Sequence, residues 1–110
     1  MERGMRIETT NNKGIRLIKN GIIFSIQFGP GNYCENKNGN IAEQYKNKPD
    51  VQSHDCEVAV IKERGGWITY EAFPEEGEPI DGGYSVVGYI PIEVALKRFF
   101  SFVENKQEQE

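Results

Sequence analysis

The most apolar run in the chain is Ile22-Ile23-Phe24-Ser25-Ile26-Gln27-Phe28. Successive side chains of a β-strand point to opposite faces, so this run gives one wholly apolar face and one face that becomes polar toward Gln27. Asn20-Gly21 precedes the run, and both residue types tolerate the positive φ angles of a two-residue hairpin turn. The sequence therefore predicts a hairpin that joins strand Ile15–Lys19 to strand Ile22–Phe28.

A second unusual stretch follows at once, Gly29-Pro30-Gly31-Asn32-Tyr33-Cys34-Glu35-Asn36. Proline followed by glycine at the centre of a turn is typical of type II geometry. Amide and phenol groups on such a braced turn can recognise a planar ligand or a peptide edge without net charge. We predict a binding surface here, joined by aromatic residues of the later strands. Its residues are Gln27, Gly29, Gly31, Asn32, Tyr33, Cys34, Asn36, Trp67 and Tyr70.

The same composition also fits a purely structural loop. Asn and Gly are favoured in turns for geometric reasons, and Tyr33 and Cys34 would then pack into the core. Trp67 and Tyr70 have the same alternative, because large aromatic side chains dominate small cores. The sequence leaves both interpretations open.

The remaining patterns predict further strands around this hairpin. Counting both members of the second hairpin, these are four strands: an edge strand over Met5–Thr9, a strand over Cys56–Lys62, its antiparallel partner over Trp67–Phe73, and a last strand over Tyr84–Ile90. Gly88 inside the last strand indicates a bulge or a close approach of another backbone segment. Ile41–Tyr45 is predicted to form one helical turn, and Pro74–Gly83 an acidic loop.

A helix is predicted after Pro91, which suits the first helical position. Its apolar residues recur at three- and four-residue spacing. They are Ile92, Ala95, Leu96, Phe99, Phe102 and Val103. The predicted fold class is therefore α+β, with an antiparallel sheet of about five strands in hairpins and one C-terminal helix packed on one face. A chain of 110 residues is expected to form a single domain, 1–110.

The net charge of −4 is unevenly distributed along the chain. Residues 1–50 hold eight Lys and Arg against five Asp and Glu, whereas residues 51–110 hold five against twelve. No basic cluster is present, so nucleic-acid binding by charge is not expected. The acidic residues after Gly65 form either a solvated loop or a surface for a basic partner. That acidic partner surface would comprise Glu71, Glu75, Glu76, Glu78 and Asp81.

No apolar run approaches the roughly 18 residues that span a bilayer, so no membrane segment is expected. Residues 1–6 are charged and lack the hydrophobic stretch of a secretory signal. The prediction is a cytoplasmic protein with no membrane partner.

The two cysteines and the one histidine of the chain invite a metal or thiol-catalysis interpretation. Zinc takes about four ligands, normally from paired short spacings, and neither CxxC nor HxxxH occurs here. A cysteine nucleophile needs a base such as His54 within hydrogen-bond reach. We predict no metal, no cofactor and no catalytic residue, with Cys34 and Cys56 as free thiols. A three-ligand site formed by these two cysteines and His54 stays open as an alternative.

Three stretches resemble a group of small phage and prophage proteins that carry an IQFGxGNYC-type motif. The motif reads Ile26-Gln27-Phe28-Gly29-Pro30-Gly31-Asn32-Tyr33-Cys34 here, preceded by Ser25 and followed downstream by Asp55-Cys56-Glu57-Val58-Ala59-Val60 and Gly66-Trp67. The group has no assigned activity and lends no catalytic residues. The resemblance implies a phage-type accessory protein in the cytoplasm of a bacterial host cell.

The predicted function is a non-enzymatic accessory protein that binds and inhibits a bacterial host or defence protein. The first alternative is a binding protein or sponge for a small nucleotide signal, using the Gln27–Asn36 loop. A small Cys/His-dependent enzyme is the third. A homo-oligomer is also left open.

Overall fold

The structure, a computed structural model, describes residues 4–10, 13–38, 51–75, 78–80 and 86–106. The strands are β1 (Arg6–Thr9), β2 (Gly14–Lys19), β3 (Ile22–Gln27), β4 (Asp55–Lys62), β5 (Glu78–Ile80) and β6 (Val86–Pro91). The helices are α1 (Thr69–Ala72) and α2 (Ile92–Lys106). The strands pair antiparallel in the order β1-β2-β3-β4-β6-β5. The α+β fold class is therefore confirmed.

The predicted hairpin joins β2 to β3 and is confirmed. Asn20 and Gly21 have φ angles of 54° and 79°, and Lys19 pairs with Ile22 across the turn. Positive φ at both central positions matches the right-handed twist of the flanking strands. The turn thereby sets the register of β3.

One face of β3 forms the centre of the core. Phe24 is fully buried, and its ring lies 5.2 Å from Phe99, 5.8 Å from Phe73 and 6.1 Å from Phe102. Phe99 and Phe102 come from α2, as the three- and four-residue spacing predicts. Leu96 is 37% exposed and lies at the flank of that helical face. The C-terminal helix therefore packs on the apolar face of the sheet.

The predicted strand over Trp67–Phe73 is wrong. Only Trp67 forms a bridge, with Ile61, and the chain then enters α1. The Thr69 hydroxyl accepts a hydrogen bond from the Val60 N–H at 3.0 Å, so a side chain takes the place of the next ladder partner. A side-chain acceptor ends the pairing of the backbone and lets the chain turn into a helix.

The predicted acidic loop over Pro74–Gly83 is also wrong in part, because β5 lies within it and extends the sheet by an edge strand. Hydrogen bonds to β6 stabilise β5, and the local sequence does not reveal this distant partner. The predicted helical turn over Ile41–Tyr45 lies outside the described residues.

No helix in the described ranges is long and apolar enough to cross a membrane.

Replacing Phe24 with alanine tests the core. We expect Phe24→Ala to lower the free energy of unfolding by about 3–5 kcal/mol, because the substitution leaves a cavity among three packed rings. The matched control is Phe100→Ala, since the Phe100 side chain is 47% exposed on α2. The control should cost less than about 1 kcal/mol in urea denaturation followed by circular dichroism. Equal costs for the two variants would contradict the assigned core.

Candidate functional site

The loop after β3 begins with the predicted turn. Gly31 has a φ of 88°, and the Asn32 N–H donates to the Gly29 carbonyl at 3.1 Å. These two features fit a type II turn with Pro30 and Gly31 at its centre. The Asn32 side-chain oxygen accepts from the Gly29 N–H at 3.0 Å, so the Asn32 oxygen braces the turn.

The side-chain amides of two further predicted binding residues also make hydrogen bonds within the chain. The Asn36 amide donates to the carbonyls of Phe28 at 2.7 Å and Gln52 at 2.8 Å. Gln27 accepts from the Thr10 hydroxyl at 2.9 Å and donates to the Ser25 hydroxyl at 3.1 Å. The Asn36 amide holds the loop in place, and the Gln27 amide joins the end of β3 to Thr10. Both uses agree with the structural alternative for the amides.

Both cysteines are free thiols in buried positions. The Cys34 thiol lies 3.7 Å from the Gly29 carbonyl, and that of Cys56 lies 3.3 Å from the Ile90 carbonyl. Burial raises the pKa of the Cys34 thiol and raises the pKa of Cys56 to about 12. Since the thiolate is the nucleophile and the metal ligand, both sulfurs are held in their less reactive, protonated form.

The loop is fixed to the sheet at a bulge between β4 and β6. Cys56 pairs with Ile90 and Val58 with Val87, so two residues of β6, Gly88 and Tyr89, lie opposite the single residue Glu57. The prediction of a bulge at Gly88 is confirmed. A bulge bends its strand and re-aims the local side chains.

Tyr33 joins the loop to this bulge through two hydrogen bonds. Its N–H donates to the Glu57 carboxylate at 2.9 Å, and its carbonyl accepts from the Tyr89 N–H at 2.9 Å. Both hydrogen bonds use backbone groups of Tyr33. They anchor the main chain of the loop and leave the Tyr33 ring available for other contacts. The Tyr33 side chain is half-buried.

Tyr89 has a φ of 56° and a side chain that is 46% exposed. A bulky residue in this left-handed region is strained. Its ring packs edge-on against Tyr33 at 6.4 Å, and the Lys37 ammonium lies 4.9 Å from the centre of the Tyr33 ring. Within the described part of the chain, neither phenol hydroxyl has a hydrogen-bond partner. We call Tyr33, Lys37 and Tyr89 the loop surface.

Tyr89 and Lys37 were not among the predicted binding residues. Gly88 predicted the bulge, and that signal could have directed attention to the residue that follows it. Lys37 carries no local signal, because its position over the Tyr33 ring depends on how the loop folds back.

Trp67 and Tyr70 do not join this surface. Trp67 is 57% exposed and pairs with Ile61, four residues along β4 from Glu57, a separation of roughly 13 Å in an extended strand. The Tyr70 hydroxyl donates to the Val86 carbonyl at 3.3 Å, and its half-buried ring packs against the core. The predicted binding aromatics therefore lie in different parts of the fold, with Tyr70 on α1.

The acidic partner surface is described only in part. Glu71 on α1 and Glu75 after it are both exposed. Glu78 begins β5, and only its backbone is described. Glu76 and Asp81 lie outside the described residues.

His54 pairs with Glu35 on the loop. The imidazole Nδ1 lies 3.0 Å from a Glu35 carboxylate oxygen, and the His54 side chain is 99% exposed. The hydrogen bond and charge of Glu35 raise the pKa of His54, and the hydrogen bonds from His54 lower the pKa of Glu35. An exposed imidazole and two buried thiols do not form a nucleophile–base pair. Among the residues that the structure describes, no group of three or more His, Cys, Asp or Glu could hold a metal ion.

No protein-family model, curated protein or solved structure matches this chain. The resemblance to small phage and prophage proteins therefore stays a prediction.

The titration of His54 tests the Glu35 pair. The chain has one histidine, so its ring proton resonance is unambiguous in NMR. We expect a pKa above 6.5 in the wild type and a lower pKa in Glu35→Gln. High salt should also lower it, because exposed charges are screened. A Glu63→Gln control, remote from the pair, should leave it unchanged; an unshifted pKa in Glu35→Gln would contradict the contact.

The pair also makes stability depend on pH. The raised pKa of His54 means that its contribution is complete below the unfolded pKa and is lost as pH rises through the folded pKa. The lowered pKa of Glu35 means that its contribution is present above the unfolded pKa and is lost as pH falls through the folded pKa. The stabilisation is thus confined to the window between the two folded pKa values.

Proposed function

We propose that this protein is a small non-enzymatic binding protein that recognises its partner through the loop surface of Tyr33, Lys37 and Tyr89. The observation that carries the proposal is the positive φ of Tyr89, an exposed aromatic residue. The left-handed conformation costs an L-residue about 1–2 kcal/mol, and glycine would avoid that cost. A strained, exposed ring gives little core stability in return, so its presence favours a role in recognition.

The chemistry of the loop surface fits a protein partner. Tyrosine is enriched at binding hot spots because its ring gives a large contact area and its hydroxyl gives a hydrogen bond. The two rings pack edge-on and their backbones are joined, so little conformational entropy remains to be lost on binding. Lys37 adds one positive charge beside them.

The exposed acidic residues Glu71 and Glu75 are proposed as a second contact. Acidic side chains facing a basic partner surface would speed encounter and favour the correct orientation.

The proposed target is a bacterial host or defence protein that the chain binds and inhibits in the bacterial cytoplasm. The resemblance of residues 25–34 to small phage proteins supports this target class. The buried, protonated thiols support binding over the alternative of a Cys/His-dependent enzyme.

Two substitutions at the loop surface test the proposal. Tyr33→Ala and Tyr89→Asn should each weaken binding of the captured host protein by roughly 30-fold, as expected for hot-spot residues. Asparagine tolerates a positive φ, so Tyr89→Asn should change the free energy of unfolding by less than about 1 kcal/mol. Binding is measured by isothermal titration calorimetry with the purified partner after affinity capture from host lysate.

The matched control is Trp67→Ala, which removes an aromatic side chain that is 57% exposed, against 46% for Tyr89, opposite the other end of β4. It should change the affinity by less than about threefold. Loss of binding with Trp67→Ala and unchanged binding with both tyrosine variants would move the recognition surface away from the loop.

A second candidate function is binding of a small nucleotide signal. It is favoured by two phenols and an ammonium group side by side, which could stack on a base and neutralise a phosphate. A thermal-shift screen against nucleotides should then show stabilisation of about 3 kcal/mol at a hundredfold excess over the dissociation constant. The effect should be absent in Lys37→Gln. No shift with any nucleotide would remove this candidate.

A further inference from the structure

Within the described ranges, no strand pairs with the outer edge of β1, and its outward backbone groups face solvent. β1 ends the sheet on one side, and all four of its residues are exposed. In β2, Lys19 pairs with Ile22 to close a two-residue turn, and such a closing pair exchanges backbone hydrogen bonds. Alternate residues of β2, beginning with Ile18, therefore direct their backbone groups toward β1.

This alternation fixes which residues of β1 point outward. Arg6 pairs with Ile18 and uses its backbone groups in the ladder with β2. A hydrogen bond from the Thr10 N–H to the Gly14 carbonyl at 3.0 Å continues the same alternation. It follows that Ile7, and the residues two positions before and after it, direct their N–H and C=O groups away from the sheet.

The side chains of β1 alternate in character as well. Met5 is 44% exposed and Ile7 is 60% exposed, and the two lie on the face that carries the core. Arg6 and Glu8 lie on the opposite face. Long, exposed apolar edges pair readily with further strands unless charges prevent it.

We propose that two copies of this chain form a dimer by antiparallel pairing of β1 with β1, about a twofold axis at Ile7. In this register Ile7 pairs with Ile7 of the partner subunit, and Met5 pairs with Thr9 of the partner subunit. All of these residues have outward-facing backbone groups, so each pair exchanges two hydrogen bonds. The two sheets become one continuous sheet.

The charges of β1 are complementary in this register. Arg6 lies opposite Glu8 of the partner subunit, and the twofold axis repeats the contact. Opposite charges directly across from each other stabilise a strand pair, whereas like charges destabilise it. A shift of two residues in either direction would place Arg6 opposite Arg6, or Glu8 opposite Glu8, of the partner subunit. The sequence of β1 therefore favours one register and a closed, isologous interface.

Contacts within the chain do not compete strongly with this pairing. Arg6 lies 3.9 Å from Glu8 and 3.2 Å from Glu63, and Arg16 lies 3.5 Å from Glu8. The arginine and glutamate side chains involved are about half exposed, and exposed ion pairs contribute little. Glu8 can exchange these contacts for Arg6 of the partner subunit.

A proline at the centre of the edge tests the backbone pairing. The Ile7 N–H points outward, so Ile7→Pro in both subunits removes the two hydrogen bonds of the central Ile7 pair and none from the ladder with β2. Sedimentation equilibrium should show a concentration-dependent dimer for the wild type and for Ile7→Val. Ile7→Pro should raise the dissociation constant at least about tenfold and leave the circular dichroism spectrum unchanged.

Charge reversal tests the register. Glu8→Arg places like charges opposite each other and should raise the dissociation constant about tenfold or more. The double variant Arg6→Glu with Glu8→Arg restores opposite charges and should restore the dimer. A general loss of stability at the edge would instead weaken both variants.

The following results would contradict the proposed dimer. A wild-type protein that stays monomeric up to about 1 mM overturns it. A dimer that survives Ile7→Pro, or a double variant that fails to recover, overturns the proposed edge or its register. The loop surface is formed at the β4–β6 bulge, so these measurements do not decide the proposed function, and the tyrosine variants do not decide the dimer.

Discussion

The loop surface depends on the bulge at which Gly88 and Tyr89 lie opposite Glu57. The extra residue in β6 frees the Tyr89 N–H from the ladder, and that N–H binds the Tyr33 carbonyl. Glu57 completes the contact by accepting from the Tyr33 N–H. Without the extra residue, β6 would continue its regular pairing, and the loop would have no backbone donor on which to dock.

The rest of the fold supports this arrangement by holding β4 rigid. The buried face of β4 packs through Val58 and Val60 into the cluster around Phe24, and both described helices lie on that side. The opposite face carries Glu57, so the same strand joins the core and the loop surface. Small displacements of such a strand are costly because protein interiors are closely packed.

Local sequence was sufficient to predict the structure wherever a few neighbouring residues fix the backbone conformation. The Asn20-Gly21 turn and the Pro30-Gly31 turn follow from φ preferences, and the spacing of apolar residues placed the C-terminal helix. The predictions were wrong where a residue distant in sequence determines the local structure. β5 forms because β6 pairs with it, and α1 begins where the Thr69 hydroxyl binds the Val60 N–H.

The sequence by itself determined the hairpin, the two turns, the bulge position and the α+β class, because each depends on backbone preferences or on the period of apolar residues. Only the tertiary structure decided which hydrogen bonds the polar side chains make. It assigned the Asn36 and Gln27 amides to hydrogen bonds within the chain and placed Tyr89 beside Tyr33. Hydrogen bonds between residues far apart in sequence depend on the docking of whole elements, which no local pattern contains.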